Sequence, residues 1–335
     1  MKIGNFDLDK GILIVAEIGN NHEGSYTLAE EMIGKAAEAG AGAVKFQTII
    51  PEKLVSISQK ERIEQLKKFQ LSYKEFERLS QVSKEKNIIF LSTPFDIESA
   101  RFLEPLIPAY KIGSGDNDFY PMIDIIAHTG KPIILSTGLM DLQGVKKTVD
   151  FIKNVWAKNA INQDIVVMHC ITSYPTPPEE VNLLAIKDLQ KLNVTVGYSD
   201  HTLGIEAAVL SVSLGARIIE KHFTLDKNYS DFHDHQLSAD PKELRELVER
   251  VGKSLKLLGS PKKTVQKSER LVMVRVRRSI VAKRDLAENT VLTWDDLSWV
   301  RPGGGLAPGS EEMILGKRLR NTVRGGEFIT LGDIV

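Results

Sequence analysis

The sequence predicts an α/β protein: a (β/α)8 TIM barrel followed by a small β-rich domain. Three observations carry this. Eight short apolar runs, each followed by a helix-like stretch, alternate across roughly residues 12–258, and eight βα units are the signature of such a barrel. Each run ends in polar or charged residues, as expected where strand ends build a site. From about Met273 the pattern changes to short β-like runs separated by turn residues. A doubly wound open sheet would also alternate strands with helices, but it gives no reason for a polar residue at every strand end.

The elements follow in order. Residues 12–16 form a continuous apolar run ending at Glu17-Ile18-Gly19, which fits a strand buried on both faces. A helix pattern over residues 26–39 is closed by Gly40 and Gly42. Residues 43–48 are the second strand, in which Lys45 and Gln47 share one face and Phe46 takes the other. Residues 73–86 read as helix and residues 88–91 as strand, ending in Ser92-Thr93-Pro94-Phe95. Residues 109–112 lead into Gly113-Ser114-Gly115-Asp116, residues 132–135 into Ser136-Thr137-Gly138, and residues 165–168 into His169-Cys170. Residues 194–196 precede Gly197-Tyr198-Ser199-Asp200-His201-Thr202. A helix-like stretch over 205–214, closed by Gly215, then leads through Ile218-Ile219 to Glu220-Lys221-His222-Phe223-Thr224. The polar, basic stretch after Gly259 reads as a linker or, in its first half, as a solvated helix end. The expected division is therefore a barrel at 1–258, a linker at 259–272 and a β-rich domain at 273–335, the last too small to hold a large core alone.

In a barrel, strand ends meet in one ring. Here that ring would hold Glu17, Lys45, Ser92 with Thr93, Lys111, Ser136 with Thr137, His169, His201 and His222. Imidazole nitrogen suits Mn, Fe, Co or Zn, so His201 and His222, at the ends of adjacent strands, form a candidate divalent-metal site. Lys45 and Lys111 with nearby hydroxyls form a candidate site for phosphate and carboxylate; lysines snorkelling to water are the alternative. Glu17 would be a third ligand, directly or through water, or a general base, unless it merely pairs with a lysine.

Composition narrows the class. Among 335 residues, 42% are hydrophobic, and 44 basic side chains balance 44 acidic ones, so nothing favours nucleic acid or an anionic membrane as partner. A single cysteine, Cys170, excludes an intrachain disulfide and fits a reducing compartment. The first residues lack the apolar core of a signal peptide, and no run approaches the ~20 apolar residues of a membrane span. A cytoplasmic protein is expected.

The strand-end motifs resemble one family. Ala16-Glu17-Ile18-Gly19-Asn20-Asn21-His22-Glu23-Gly24, Val44-Lys45-Phe46-Gln47-Thr48, Phe90-Leu91-Ser92-Thr93-Pro94-Phe95, Lys111-Ile112-Gly113-Ser114-Gly115, Leu135-Ser136-Thr137-Gly138, Tyr198-Ser199-Asp200-His201-Thr202 and Glu220-Lys221-His222-Phe223-Thr224 look like the sialic acid synthases. Arg301-Pro302-Gly303 resembles their C-terminal antifreeze-like (SAF) domain. The resemblance implies condensation of phosphoenolpyruvate with an N-acylated hexose such as N-acetylmannosamine, giving a nine-carbon 2-keto acid and phosphate. It implies Mn2+ or Mg2+ at His201 and His222, and phosphoenolpyruvate on Lys45, Lys111, Thr93, Ser114, Ser136 and Ser199. By the same likeness Gln47 contacts metal-bound water or substrate, Glu17 handles the attacking water, Asp116 shares that role, and Tyr174 and Asp234 face the sugar. Arg301 would reach from the SAF domain of a partner subunit, so a homodimer is implied.

Departures fall on the sugar side. Gly115-Asp116-Asn117-Asp118 stands where many members show Glu followed by Cys or Thr and Asn, and Thr172 where some have Asn. The segment from Ile49 to Tyr73 is short, and Phe232-His233 replaces a common Gly-Pro. They leave N-acetylmannosamine or a related N-acyl hexose as the expected acceptor, with a diamino-trideoxy sugar, giving legionaminic acid, as the alternative. Rival readings are another phosphoenolpyruvate-condensing synthase or aldolase, and a non-catalytic sugar- or ice-binding protein working through its tail.

Overall fold

A computed structural model describes residues 1–335. The chain opens with a small antiparallel hairpin, β1 (Lys2–Ile3) and β2 (Phe6–Asp7). The alternation follows: β3 (Leu13–Gly19), α1 (Tyr26–Ala39), β4 (Ala43–Thr48), α2 (Pro51–Leu54), α3 (Lys60–Lys67), α4 (Tyr73–Glu85), β5 (Ile89–Pro94), α5 (Ile97–Leu103), β6 (Tyr110–Ile112) and α6 (Tyr120–His128). It continues with β7 (Ile133–Ser136), α7 (Leu142–Lys158), β8 (Ile165–Cys170), α8 (Ala185–Gln190), β9 (Thr195–Asp200), α9 (Glu206–Ser213), β10 (Ile218–His222), α10 (Asp234–Leu237) and α11 (Pro241–Leu258). Strands β3 to β10 make one parallel eight-stranded sheet in the order β5-β4-β3-β10-β9-β8-β7-β6. First and last strands pair, β3 with β10, and β5 lies beside β6 without a ladder, so the barrel is nearly closed. All eight expected strands are present.

Alternation along each strand divides its side chains between two cores. Ile14, Val44, Phe46, Phe90, Tyr110, Leu135, Val167 and Ile219 point outward and pack under the helices. Leu13, Val15, Ala43, Leu91, Ala109, Ile134, Val166, Met168 and Ile218 fill the interior, joined by Ile3 and Leu8 from the opening segment. The lower barrel is thus a dry plug, and the inward positions above it are left for polar side chains.

Local chemistry sets the helix ends. Ser25 caps α1 by accepting from Leu28 N, and Gly40 ends it in the left-handed region at φ 94°. Ser72 and Glu75 form a capping box at α4, and Asp240 with Glu243 does the same at α11.

The chain divides into two compact units, Met1–Gly259 and Ser260–Val335. In the second, residues expected as linker begin a helix, α12 (Lys267–Val276), because Gln266 and Glu269 supply a capping box. An antiparallel pair follows, β11 (Ser279–Ala282) with β12 (Leu297–Val300). The core of this unit contains Ile280, Leu286, Leu292, Leu297, Ile314, Leu319 and Ile329. Arg301 lies just after β12 and is exposed.

Candidate active site

Above the apolar plug, the inward strand positions open into a cavity of about 130 Å³. Eleven residues expected from the sequence line it: Glu17, Lys45, Gln47, Thr93, Lys111, Ser114, Ser136, Tyr174, Ser199, His201 and His222. Asp116 and Asp234 do not. Asp116 ends a 3-10 turn at Ser114–Asp116, where burial, aided by Asp118, pushes its carboxyl up to about 6. Asp234 opens α10 with Oδ1 2.9 Å from His233 Nε2 and Oδ2 3.9 Å from His222 Nδ1. His169, expected in the ring, faces outward from β8: its Nε2 lies 2.7 Å from the Val181 carbonyl. Met168 and Cys170 take the inward positions on either side, so strand parity excludes His169.

At the centre, two lysines and two glutamates are buried together. Lys45 Nζ lies 2.8 Å from Glu17 Oε2 and 3.6 Å from Glu220 Oε1. It also donates to Thr93 Oγ1 at 3.1 Å. Lys111 donates to both oxygens of Glu220, at 2.9 and 3.1 Å, and Ser199 donates to Glu220 Oε1 at 3.0 Å. The sequence reading missed Glu220. It stands two residues before His222 on one strand, and that period of two was the signal for it.

This packing sets the charges. Burial pushes the Glu17 carboxyl up, and Lys45 offsets this only in part. Burial acts the same way on Glu220, but Lys111 and Lys45 outweigh it and hold that carboxylate low. Burial pulls the Lys111 ammonium down against the pull of Glu220. Burial also lowers Lys45, yet Glu17 and Glu220 reverse the direction. Two carboxylates of similar position are thereby separated: Glu220 is the fixed counter-charge, and Glu17 is the better proton acceptor. Ser136 Oγ, on the cavity wall, is buried without a hydrogen-bond partner.

The two histidines face each other, ring centroids 5.4 Å apart, with Tyr174 4.1 Å from His201. His201 Nδ1 lies 2.7 Å from the Ile171 carbonyl. A carbonyl only accepts, so Nδ1 carries the hydrogen and Nε2 presents its lone pair. Burial, reinforced by His201 and Lys45, holds the His222 imidazole well below its ordinary value. Its Nδ1 is buried and unpartnered. At His201 burial acts downward, but the Cys170 sulfur and the Ile171 carbonyl outweigh it, so a cation there would have to compete with a proton. A neutral imidazole and one oriented by a carbonyl are what a divalent ion requires. No third His, Cys, Asp or Glu joins them. Glu17, a candidate third ligand in the sequence, turns instead to Lys45, its register partner on β4.

Neighbouring backbone is shaped to this site. Asn117 Nδ2 donates to the carbonyls of Ser136 and Gly138, at 3.2 and 2.9 Å, and ties the end of β7 to the following loop. A Cβ on Gly138 would stand 2.2 Å from Thr172 Oγ1 and 2.7 Å from Ser114 Oγ, so a larger residue would push those two hydroxyls out of place. Gln47 bridges Glu17 and Asn20, at 3.1 and 3.0 Å.

Residues 32–263 match the NeuB family, and residues 277–335 match the SAF domain. The chain belongs to the NeuB family. Relatives match it over nearly its full length. An uncharacterised protein of Methanocaldococcus jannaschii is 43% identical, covering 100% of this chain and 98% of its own. The N,N'-diacetyllegionaminic acid synthase of Campylobacter jejuni is 39% identical over 96% of this chain and 99% of its own. Among solved structures, the N-acetylneuraminic acid synthetase of Leptospira borgpetersenii, in complex with citrate, superposes with a TM-score of 0.76 at 35% identity, covering 81% of this chain and 94% of that one. The resemblance read from the strand ends holds, and this NeuB-family chain is an enzyme of the sialic acid synthase type.

Proposed function

We propose that this enzyme condenses phosphoenolpyruvate with an N-acyl hexose and water, giving a nine-carbon 2-keto acid and phosphate. The arrangement of Lys45 and Lys111 beside two facing histidines in one strand-built cavity carries the reading. Lys45, Lys111, Thr93, Ser114, Ser136 and Ser199 would take the phosphate and carboxylate, ammonium and hydroxyl donors being suited to such oxygens. Mn2+ or Mg2+ held by His201 and His222 would polarise the acceptor aldehyde as a Lewis acid. C3 of the enol phosphate then attacks the aldehyde carbon, the C=O pair goes to the aldehyde oxygen, which takes up a proton to become a hydroxyl, and C2 is left electron-poor. Water adds to C2, and Glu17, its carboxyl raised by burial, accepts the proton. Phosphate departs with the bridging oxygen as the C–O bond breaks and the 2-keto group forms.

The acceptor is the 2,4-diacetamido-2,4,6-trideoxy hexose of legionaminic acid rather than N-acetylmannosamine. Support comes from the sugar-side departures, Asp116-Asn117-Asp118, Thr172 and Phe232-His233, and from the 39% identity to a legionaminic acid synthase. The enzyme acts as a homodimer in which Arg301 of one subunit meets the sugar bound by the other. Mixing His222→Ala with Arg301→Ala subunits tests this: activity recovered on mixing supports it, and none recovered contradicts it.

The chemistry itself is tested with phosphoenolpyruvate carrying 18O at the bridging position. Labelled phosphate is expected. Unlabelled phosphate would mean P–O hydrolysis and a different reaction.

A further inference from the structure

Behind the two histidines, on the outer faces of the same strands, lies a second pair of charges. Asp200 precedes His201, and Lys221 precedes His222. Alternation turns both away from the cavity, and they are register partners across β9 and β10. Both are fully enclosed, Asp200 at 0% and Lys221 at 1% exposure. Lys221 Nζ lies 3.2 Å from Asp200 Oδ2.

Their hydrogen bonds converge on one residue. Asp200 Oδ1 accepts from Thr202 N at 2.9 Å and from Thr202 Oγ1 at 2.8 Å, as well as from the Tyr198 hydroxyl at 3.1 Å. Lys221 donates to the Thr202 carbonyl. The residue after His201 is therefore held at three atoms, one of them by the residue before His222. The backbone is fixed nearby as well: the His201 carbonyl accepts from Thr176 N at 2.9 Å, and the His222 carbonyl from Ala239 N at 2.7 Å.

A buried ion pair is a poor source of stability, because desolvating both charges offsets their attraction. Its best-attested use is to fix register. Two apolar side chains would fill this space, but they would not clamp Thr202.

We propose that Asp200 and Lys221 are positioning residues: their ion pair, acting through Thr202, locks the ends of β9 and β10 so that His201 and His222 face one divalent cation. This rests on the metal reading given above. It assigns the two residues a task in metal affinity, separate from their part in the core.

The test is Mn2+ binding to the full-length protein without substrate, followed by electron paramagnetic resonance, alongside thermal unfolding. The Asp200→Asn/Lys221→Met double variant removes both charges and orphans neither. It is expected to fold and to bind Mn2+ about 10–100-fold more weakly, the usual loss when outer partners of a ligand are removed. A folded double variant with the parent's Kd would overturn the proposal and show the pair to be core packing alone. If the double variant does not fold, Thr202→Val decides. It loses only the hydroxyl clamp; a weaker Kd supports the proposal and an unchanged Kd overturns it. His222→Ala separates the two levels. If it binds Mn2+ as well as the parent, the metal reading fails and this inference with it. If only the parent binds, the metal reading stands, and the double variant judges the pair.

Discussion

Side chains carried by the barrel strands and those carried by the loops above them behave differently. Glu17, Lys45, Lys111 and Glu220 sit on strands, are nearly inaccessible, and meet within hydrogen-bond or ion-pair distance in a cavity that the strand-borne, buried His222 also lines. Asp116 and Asp234 sit on a short turn and a short helix and stay outside it. Tyr174 is loop-borne and 41% exposed, reaching the cavity only over His201. A ladder of hydrogen bonds fixes a strand residue to within its register, whereas a loop residue is placed by its own turn. On the proposed reading the strands would carry the reaction and the loops the choice of acceptor, as in other barrels that vary their chemistry through loops.

Substitutions can break that contrast, the largest effect first. His222→Ala should abolish metal-dependent phosphate release while circular dichroism stays unchanged; full activity with metal still bound would sink the assignment. Lys111→Met leaves two buried carboxylates facing Lys45 alone. Removing one preorganised donor from an anion site costs about 100- to 1,000-fold in rate, so phosphoenolpyruvate-dependent kcat/KM should fall by about two to three orders of magnitude. An effect confined to the Michaelis constant of the sugar would contradict the anion-site reading.

The loop residues should respond more mildly. Burial raises Asp116 from 3.8 to about 6. Its contribution to stability is thus present below the unfolded value and lost as pH rises through about 6. Asp116→Asn should leave Tm unchanged near pH 4 and raise it near pH 7. Equal Tm shifts at both pH values would refute the assignment. Tyr174→Phe removes one hydroxyl, a change of about 0.5–1.5 kcal/mol for a single hydrogen bond. It should raise the sugar Michaelis constant by less than about tenfold and leave that of phosphoenolpyruvate alone. A collapse of turnover would place Tyr174 with the strand residues instead.

The same contrast explains what the sequence disclosed. Period-two alternation placed Lys45 and Gln47 opposite Phe46, and Phe46 does pack outward against Phe76 and Phe90. Counting parity through His169-Cys170 would have set His169 outside and Cys170 inside. Counting it through Glu220-Lys221-His222 would have found the counter-charge of both lysines. Asp116 and Asp234 were beyond that rule, because a turn has no fixed parity. The opening hairpin and α12 were missed for a different reason. Two-residue strands carry no period, and α12 begins inside a basic, polar stretch where only Gln266 and Glu269 mark its start.

The most direct measurement is phosphate release from phosphoenolpyruvate with Mn2+, comparing N-acetylmannosamine with its 2,4-diacetamido-2,4,6-trideoxy counterpart, with and without a chelator. The account predicts release only when sugar and metal are both present, and faster release with the trideoxy sugar. No release with either sugar, or release untouched by the chelator, would contradict a metal-dependent condensation in this strand-built site.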